Sequence, residues 1–152
     1  MGGTRVIAAE DITGTWLLIE RGASESAQGE LLQRYGAQSE GMAIFSPDGW
    51  LSGIVCRSDR APLPGNADWH ADAPADARLA AFDSYVSYAG HWRVENDQLI
   101  TKVRFALNPN WVGGEQVRDI ELLADGKMRL VVTRVWPNGE RVSVWLDWRR
   151  AD

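Results

Sequence analysis

The chain has 152 residues, of which 45% are hydrophobic and 24% charged, as is typical of one globular domain spanning residues 1–152. Its formal net charge of −5 argues against nucleic acid or an anionic membrane surface as the main partner, because both require a basic surface. No apolar run approaches the roughly 20 residues that a membrane helix needs. The N-terminus also lacks the apolar stretch of a secretion signal. We therefore expect a cytoplasmic protein, a monomer or a homodimer, that does not bind membranes.

Cysteine and histidine are scarce. Cys56 is the single cysteine and His70 and His91 are the two histidines, so neither a disulfide framework nor a dedicated metal site is expected. The sequence has no phosphate loop and no dinucleotide fingerprint. We predict no metal and no cofactor.

Most of the sequence consists of short alternating stretches separated by turn residues, a pattern typical of an all-β barrel or sandwich. The predicted strands are Thr13–Glu20, Gly41–Ser46, Gly49–Cys56, Tyr88–Glu95, Gln98–Leu107, Glu115–Leu123, Lys127–Trp136 and Glu140–Arg150. One stretch differs: between Pro74 and Val86, Leu79 and Phe82 recur at helical spacing and predict one short amphipathic helix.

The turn residues fix the expected pairing of three hairpins. A two-residue turn at Asn96-Asp97 pairs Trp92 with Thr101, and turns with left-handed glycines pair Ile120 with Leu130 and Val132 with Val144. These registers separate apolar from charged side chains, whereas a slip by one residue would turn every side chain over. They direct seven residues of the fourth and fifth strands inward: Tyr88, Trp92, Val94, Leu99, Thr101, Val103 and Phe105.

The long connections collect at one end of the predicted meander. They are Arg21–Glu40, Arg57–Ser87 with its helix, and Asn108–Gly114, whereas three of the four tight turns and both termini share the other end. Because long loops carry function more often than short ones, the long-loop end is predicted to be the mouth of a pocket.

Four segments of the sequence resemble a known family. Gly14-Thr15-Trp16 is similar to the Gly-x-Trp motif of lipocalins, and Ser46-Pro47-Asp48-Gly49 and Trp148-Arg149-Arg150 match a hairpin and the last strand of the bacterial lipocalin-like domain family. A longer match lies within Ala81–Arg118. It has a Tyr-x-Gly strand and an Asn-Pro-Asn-Trp-Val-Gly…Glu-Gln-x-Arg loop, here Tyr88, Gly90, Asn108, Pro109, Asn110, Trp111, Val112, Gly113, Glu115, Gln116 and Arg118.

This resemblance implies a lipocalin-like antiparallel up-and-down β-barrel of about eight strands, with the short helix over its mouth. Barrels of this kind include carriers as well as cofactor-free cyclases, isomerases and lyases. In lipocalins an Arg of the last strand stacks on the Gly-x-Trp indole and closes the barrel, a role that falls to Arg150 and Trp16 here. The family often has His at the positions of Thr101 and Lys102, so the resemblance gives no support for a His-based activity.

Three polar side chains are predicted to face inward near the mouth. The registers place Arg118, Arg134 and Gln116 inside, with Gln116 opposite Arg134. A buried guanidinium without a partner is costly, so each Arg requires a carboxylate, carbonyl groups or a ligand. Two interpretations remain open: ion pairs with Glu20, Glu115 or Asp83, or binding of an acidic oxygen of a guest.

Aromatic residues are the other candidates for the pocket. Aromatic walls with few polar groups are typical of small-molecule sites, although plain core packing explains the same residues. The candidates are Tyr88, Trp92 and Phe105 on the strands, Trp111 in a mouth loop, and Trp69 in the loop before the helix. His70, beside Trp69, is either a general base at the mouth or a solvated loop residue.

The sequence therefore predicts binding of a small aromatic or polycyclic molecule with an acidic oxygen inside the barrel. If the protein is an enzyme, we expect a cofactor-independent isomerase, cyclase or lyase, in which Arg118 stabilises an enolate and Tyr88 or His70 moves a proton. The alternatives are a non-catalytic carrier and a filled barrel that acts as an interaction module.

Overall fold

Eight strands follow one another around a closed antiparallel barrel in chain order. The structure is a computed structural model that describes residues 5–152. The strands are β1 (Gly14–Ala23), β2 (Ser39–Phe45), β3 (Trp50–Arg57), β4 (Tyr85–Glu95), β5 (Gln98–Ala106), β6 (Glu115–Leu122), β7 (Met128–Val135) and β8 (Arg141–Arg150). The predicted all-β, lipocalin-like barrel is confirmed.

The tight turns have the backbone conformations that their residues favour. Asn96 and Asp97 both have positive φ, 50° and 60°, as a two-residue hairpin turn of type I′ requires. The three predicted registers are confirmed: Trp92 pairs with Thr101, Ile120 with Leu130, and Val132 with Val144.

The helices differ from the prediction in number and position. α1 (Ala9–Ile12) is a single turn, α2 (Gln28–Tyr35) was not predicted, and α3 (Ala75–Asp83) lies within the predicted helical stretch. The prediction of one helix over the mouth is wrong, because α2 borders the main cavity whereas α3 does not. α3 has no buried residue, and its Leu79 and Phe82 are 60% and 50% exposed. Within residues 5–152, no helix is long and apolar enough to cross a membrane.

A bulge in the β4–β5 ladder overturns one inward assignment. Ala89 pairs with Phe105 but the next residue, Gly90, pairs with Val103, so one residue of β5 is skipped. A Cβ on Gly90 would lie 1.9 Å from the carbonyl oxygen of Lys102, so this close approach requires glycine. Beyond the bulge the alternation of β5 is reversed, and Phe105 is 62% exposed. The prediction that Phe105 faces inward is therefore wrong.

The end of the barrel opposite α2 is closed by Trp16. Its indole is 1% exposed and donates a hydrogen bond from Nε1 to the carbonyl of Ile12 at 2.8 Å. The guanidinium of Arg150 lies 4.3 Å from the indole centroid and donates to the carbonyls of Thr13 and Asp11 at 2.7 and 2.8 Å. This arrangement caps the main core cluster and leaves the barrel accessible from the other end.

Candidate functional site

A cavity of about 410 Å³ occupies the half of the barrel near α2, a size within the usual range of small-molecule pockets. Its floor is the indole of Trp148, which is 3% exposed. The apolar part of its lining comes from six of the eight strands and α2, and includes Leu31, Ala43, Phe45, Leu51, Val55, Val86, Leu99, Leu130, Val132, Val144 and Leu146. An apolar guest would therefore be surrounded by aliphatic and aromatic side chains.

Five of the predicted site residues lie together in the lining. They are Tyr88 on β4, Trp111 in the loop after β5, Gln116 and Arg118 on β6, and Arg134 on β7. The Trp111 and Tyr88 rings meet edge to face with centroids 5.9 Å apart. Asn108 fixes the Trp111 loop, because its side chain accepts a hydrogen bond from the backbone of Asn110 at 3.0 Å.

Arg118 has no carboxylate partner among residues 5–152. Its Nη2 donates to Oε1 of Gln116 at 2.9 Å and its Nη1 to the carbonyl of Val117 at 2.9 Å. The expected ion pair with Glu20, Glu115 or Asp83 does not form, so the positive charge is held at the cavity by neutral acceptors only. Such a guanidinium can still bind an anion.

Arg134 is held differently from Arg118. It forms an ion pair with Glu30 of α2 at 2.5 Å, and Glu30 also contacts Arg34 at 3.1 Å. This pairing lowers the pKa of Glu30. The β6–β7 ladder ends at Asp119 and Val131, so the predicted pairing of Gln116 with Arg134 is wrong. The strands part here, and Arg134 ties α2 to the barrel.

Two opposing effects act on the pKa of the Tyr88 hydroxyl. Burial raises the pKa of Tyr88, and the nearby positive charge of Arg118 lowers it by a smaller amount. No hydrogen bond involves this hydroxyl within the described part of the chain. Tyr88 is thus a neutral donor beside a cation.

Arg21 also points inward, although the sequence did not indicate it. A bulge between Leu18 and Glu20 reverses the alternation of β1, and Arg21 then pairs with the cavity residue Leu146. Arg21 donates to the carbonyl of Gly36 at the end of α2, and its Nη1 is buried without a partner among residues 5–152. Burial lowers the pKa of Arg21. The residue fastens the C-terminal end of α2.

Two further polar atoms are buried in the barrel without a hydrogen-bond partner in the described chain. They are Oγ1 of Thr101, a residue that is 1% exposed, and Nε1 of Trp148. Thr101 is one of the two positions at which the family resemblance implied a His. No ionisable side chain occupies this inward position, so it offers no proton donor or acceptor for acid–base chemistry.

Three predicted site residues besides Phe105 lie away from the main cavity. Trp92 packs edge to face on Phe45 at 5.3 Å and donates from Nε1 to the carbonyl of Ser46, so it belongs to the core near the closed end. Trp69 and His70 stack on each other at 4.1 Å in an exposed turn. Neither lines the cavity, so His70 is not positioned as its general base.

The cavity holds no cluster that resembles a metal centre. Across residues 5–152, no group of three His, Cys, Asp or Glu side chains is arranged to hold a metal ion. What the arrangement offers is an apolar chamber with hydrogen-bond donors and the paired carboxylate of Glu30 in its lining.

Comparisons with known proteins give one match by sequence. The sequence model of a family described as lipocalin-like domain matches residues 13–151. No curated protein matches the chain.

Similar solved structures include bovine odorant-binding protein in complex with a selenium-containing odorant. It is 11% identical, with a TM-score of 0.46, over 100% of this chain and 78% of that one. A lipocalin-like protein from Bacteroides uniformis is 12% identical, with a TM-score of 0.43, over 93% of this chain and 99% of that one.

Proposed function

This chain belongs to the lipocalin-like domain family, and from that premise we propose that its cavity binds a small aromatic or polycyclic molecule bearing an acidic oxygen. The observation that carries the proposal is Arg118, an inward guanidinium on an apolar cavity whose hydrogen bonds go to neutral acceptors only. A ligand anion would supply the charge that the chain does not.

The polar groups around Arg118 favour an acceptor rather than an amine. Gln116 uses its Oε1 to accept from Arg118, so the amide nitrogen remains to donate. The raised pKa of Tyr88 keeps that hydroxyl protonated at neutral pH. An acidic oxygen would therefore meet three kinds of donor, whereas an ammonium group would meet a cation. The aliphatic lining would bury the rest of the ligand.

Two other functions would require different features of the cavity. A filled barrel that serves as an interaction module should lack a chamber of this size. A cofactor-free isomerase, cyclase or lyase is favoured by Tyr88, whose unpaired hydroxyl beside Arg118 could donate a proton or hydrogen bond to an enolate. In that case Tyr88→Phe would abolish turnover of a bound substrate and leave most of the binding intact.

The test compares two fluorescent probes that differ by one acidic group. These are 1-anilinonaphthalene-8-sulfonate and the uncharged N-phenyl-1-naphthylamine. Arg118→Met keeps much of the side-chain volume and removes the charge. We expect the sulfonate to bind at least tenfold more weakly, about 1.4 kcal/mol, and the uncharged probe to bind as before. Arg104→Met, on the outer surface of β5, is the matched control.

The proposal is contradicted if Arg118→Met binds each of the two probes with the same affinity as the unsubstituted protein does. If that variant instead loses stability while binding is unchanged, Arg118 has a structural role. Native mass spectrometry of freshly purified protein then tests whether a natural small molecule is retained.

A further inference from the structure

Five glycines lie within the strands of the described chain, and four of them have a conformational or steric reason. They are Gly14, Gly22, Gly41, Gly53 and Gly90. Gly14 has a left-handed φ of 127°, which favours glycine. A Cβ on Gly22, Gly41 or Gly90 would lie 2.4, 2.6 or 1.9 Å from a neighbouring atom, so a side chain would collide there. Gly53, on β3, has neither reason.

Gly53 has space for a side chain. Its φ lies outside the left-handed region, and apart from its chain neighbours a Cβ would meet one atom of the described chain within 4 Å, the Cδ2 of Leu51 at 3.9 Å. An alanine would therefore fit without strain. Because glycine weakens a strand interior, through its backbone entropy and its lack of a side chain to pack, the fold gains nothing from glycine here. A glycine of this kind favours close approach of another group to the backbone.

The space beside Gly53 is the main cavity. Gly53 lies between the lining residues Leu51 and Val55 of its own strand, and it pairs with Ala43 on β2 and with Tyr88 on β4, which also line the cavity. The missing side chain leaves the backbone of β3 as the cavity wall at this point. A ligand in the cavity can therefore come into direct contact with the backbone.

A flat ring is the chemical group that this wall favours. The backbone groups of β3 around Gly53 are hydrogen-bonded in the ladders to β2 and β4, so a ligand gains mainly dispersion from contact with them. Dispersion grows with the number of atom pairs in contact. A planar ring lying on the backbone brings all of its atoms within contact distance, whereas a rounded aliphatic group touches the wall at few points.

We propose that Gly53 determines the shape of the ligand, because a planar ring system lies flat on the β3 backbone at this glycine. A side chain at this position would lift the ring from the wall. The inference rests on the proposed function, since it concerns the same ligand in the same cavity. Tyr88, which pairs with Gly53, is near enough to Arg118 for that charge to oppose the rise of its pKa, so the ring and the acidic oxygen occupy adjoining parts of the cavity. The ligand class is then a planar, fused-ring acid.

The test compares two carboxylic acids with equal numbers of carbon atoms, the flat 2-naphthoic acid and the rounded adamantane-1-carboxylic acid. Isothermal titration calorimetry measures both affinities. We expect Gly53→Ala to weaken the binding of naphthoate about tenfold or more and that of adamantane carboxylate less than about threefold. Equal weakening of the two acids, or no weakening of naphthoate, overturns the proposal.

The matched control is Gly29→Ala on α2. It adds the same methyl group outside the cavity lining, at an exposed position where no atom of a more distant residue in the described chain lies within 4 Å of the new Cβ. It should change neither affinity. Circular dichroism establishes that Gly53→Ala and Gly29→Ala both fold.

A second variant separates the placement of the ring from a simple loss of space. Val132→Ile adds a methylene to the cavity wall on β7, which is four strands away from β3 around the closed barrel. If it weakens naphthoate binding as much as Gly53→Ala does, volume alone explains the effect and the proposal is refuted. In the naphthoate complex, nuclear Overhauser effects should connect the ring protons with the α-protons of Gly53 and not with those of Gly41, which does not line the cavity.

Failure of this proposal can be told apart from failure of the proposed function. Arg118→Met removes the charge that both acids require, so it should weaken both of them about tenfold or more. If it does so while Gly53→Ala weakens neither acid, the acidic-oxygen site stands and the role of Gly53 is refuted. If Arg118→Met has no effect while Gly53→Ala selectively weakens naphthoate, the ring site stands and the acidic-oxygen site is refuted.

Discussion

Tyr88 is a half-buried residue that lines an apolar cavity, and this location makes the ionisation of its hydroxyl depend on folding. Burial raises the pKa of Tyr88 in the folded state above that of the unfolded chain, so folding favours the protonated hydroxyl. The resulting contribution to stability is fully present below the unfolded pKa, near 10. It is lost as the pH rises from there through the folded value.

We therefore predict that the free energy of unfolding of the protein falls more steeply above about pH 10 than that of Tyr88→Phe. Urea denaturation at a series of pH values measures the difference. Tyr85→Phe, on the outer side of β4 beneath the guanidinium of Arg60, is the control and should keep the steep dependence. Parallel curves for the protein and Tyr88→Phe would refute the role assigned to burial.

Gly90 has a steric role that Gly53, on the neighbouring strand, does not share. A Cβ at Gly90 would overlap the backbone of Lys102, whereas a Cβ at Gly53 would meet nothing nearer than 3.9 Å. We predict that Gly90→Ala destabilises the protein by about 3 kcal/mol or more, because a backbone atom must move. Gly53→Ala should cost less than about 1 kcal/mol. Thermal or urea denaturation measures both, and similar losses would contradict this explanation of the bulge.

Individual residues could be placed from the sequence wherever the alternation of a strand was unbroken. Tyr88, Gln116 and Arg118 lie in the cavity lining as predicted because β4 and β6 themselves contain no extra residue, so their alternation is unbroken. Phe105 was assigned to the wrong side of its strand, and the inward position of Arg21 was not predicted. Each residue follows a bulge, and one extra residue in a strand reverses which side of the sheet the later side chains face. Gly90 was a visible sign of the first bulge, since an isolated glycine in a strand favours close backbone approach.

At the scale of elements, the two longer helices show what helical spacing indicates and what it does not. Leu79 and Phe82 predicted the helix α3, but the apolar residues that gave the prediction are exposed rather than packed on the barrel. α2 has a weaker pattern, since Leu31 and Leu32 are adjacent. Its C-terminal signal is Gly36, which has a left-handed φ of 68° and donates to the carbonyl of Leu32. Helical spacing indicated that a helix would form, but it did not indicate which part of the protein the helix would pack against.

Leu31 is the buried apolar side chain of α2 that packs on the barrel. Leu31 is 6% exposed and packs with Ala23, Ala27 and Val142, whereas Leu32 is 55% exposed. We predict that Leu31→Ala lowers the free energy of unfolding by about 2–4 kcal/mol and Leu32→Ala by less than about 0.5 kcal/mol. Urea denaturation distinguishes them. Hydrogen exchange should show faster opening of α2 in Leu31→Ala only, and equal protection of α2 in both variants would contradict the packing described.

At the scale of the whole molecule, the barrel was predictable because turn chemistry and alternation agree over long stretches. Each tight hairpin joins segments whose apolar residues fall on one face, so a single closed meander satisfies all of them. The cavity was less predictable. The alternation of a strand shows which side chains face inward, but not whether those side chains fill the barrel or leave a cavity between them. Trp92 faces inward as expected, yet it fills the closed half together with Phe45.

The two ends of the barrel should therefore contribute to different properties. Arg150 supports the closed end, where it covers Trp16 and satisfies the carbonyls of Thr13 and Asp11. Neither Arg150 nor Trp16 lines the cavity. We predict that Arg150→Met lowers the free energy of unfolding by about 2 kcal/mol, the scale of a cation–π contact with charged hydrogen bonds, and leaves the affinity for 1-anilinonaphthalene-8-sulfonate unchanged.

Arg149→Met is the matched control, because this neighbouring side chain points outward and its contacts are to the backbone of Arg150 and, at 4.0 Å, to Asp152. It should change neither stability nor affinity. Arg118→Met should show the reverse of Arg150→Met, with affinity lost and stability kept. If Arg150→Met weakens probe binding as much as it weakens the fold, the closed end and the cavity are coupled. The aromatic floor formed by Trp148, which lies between them, would then have to transmit the change.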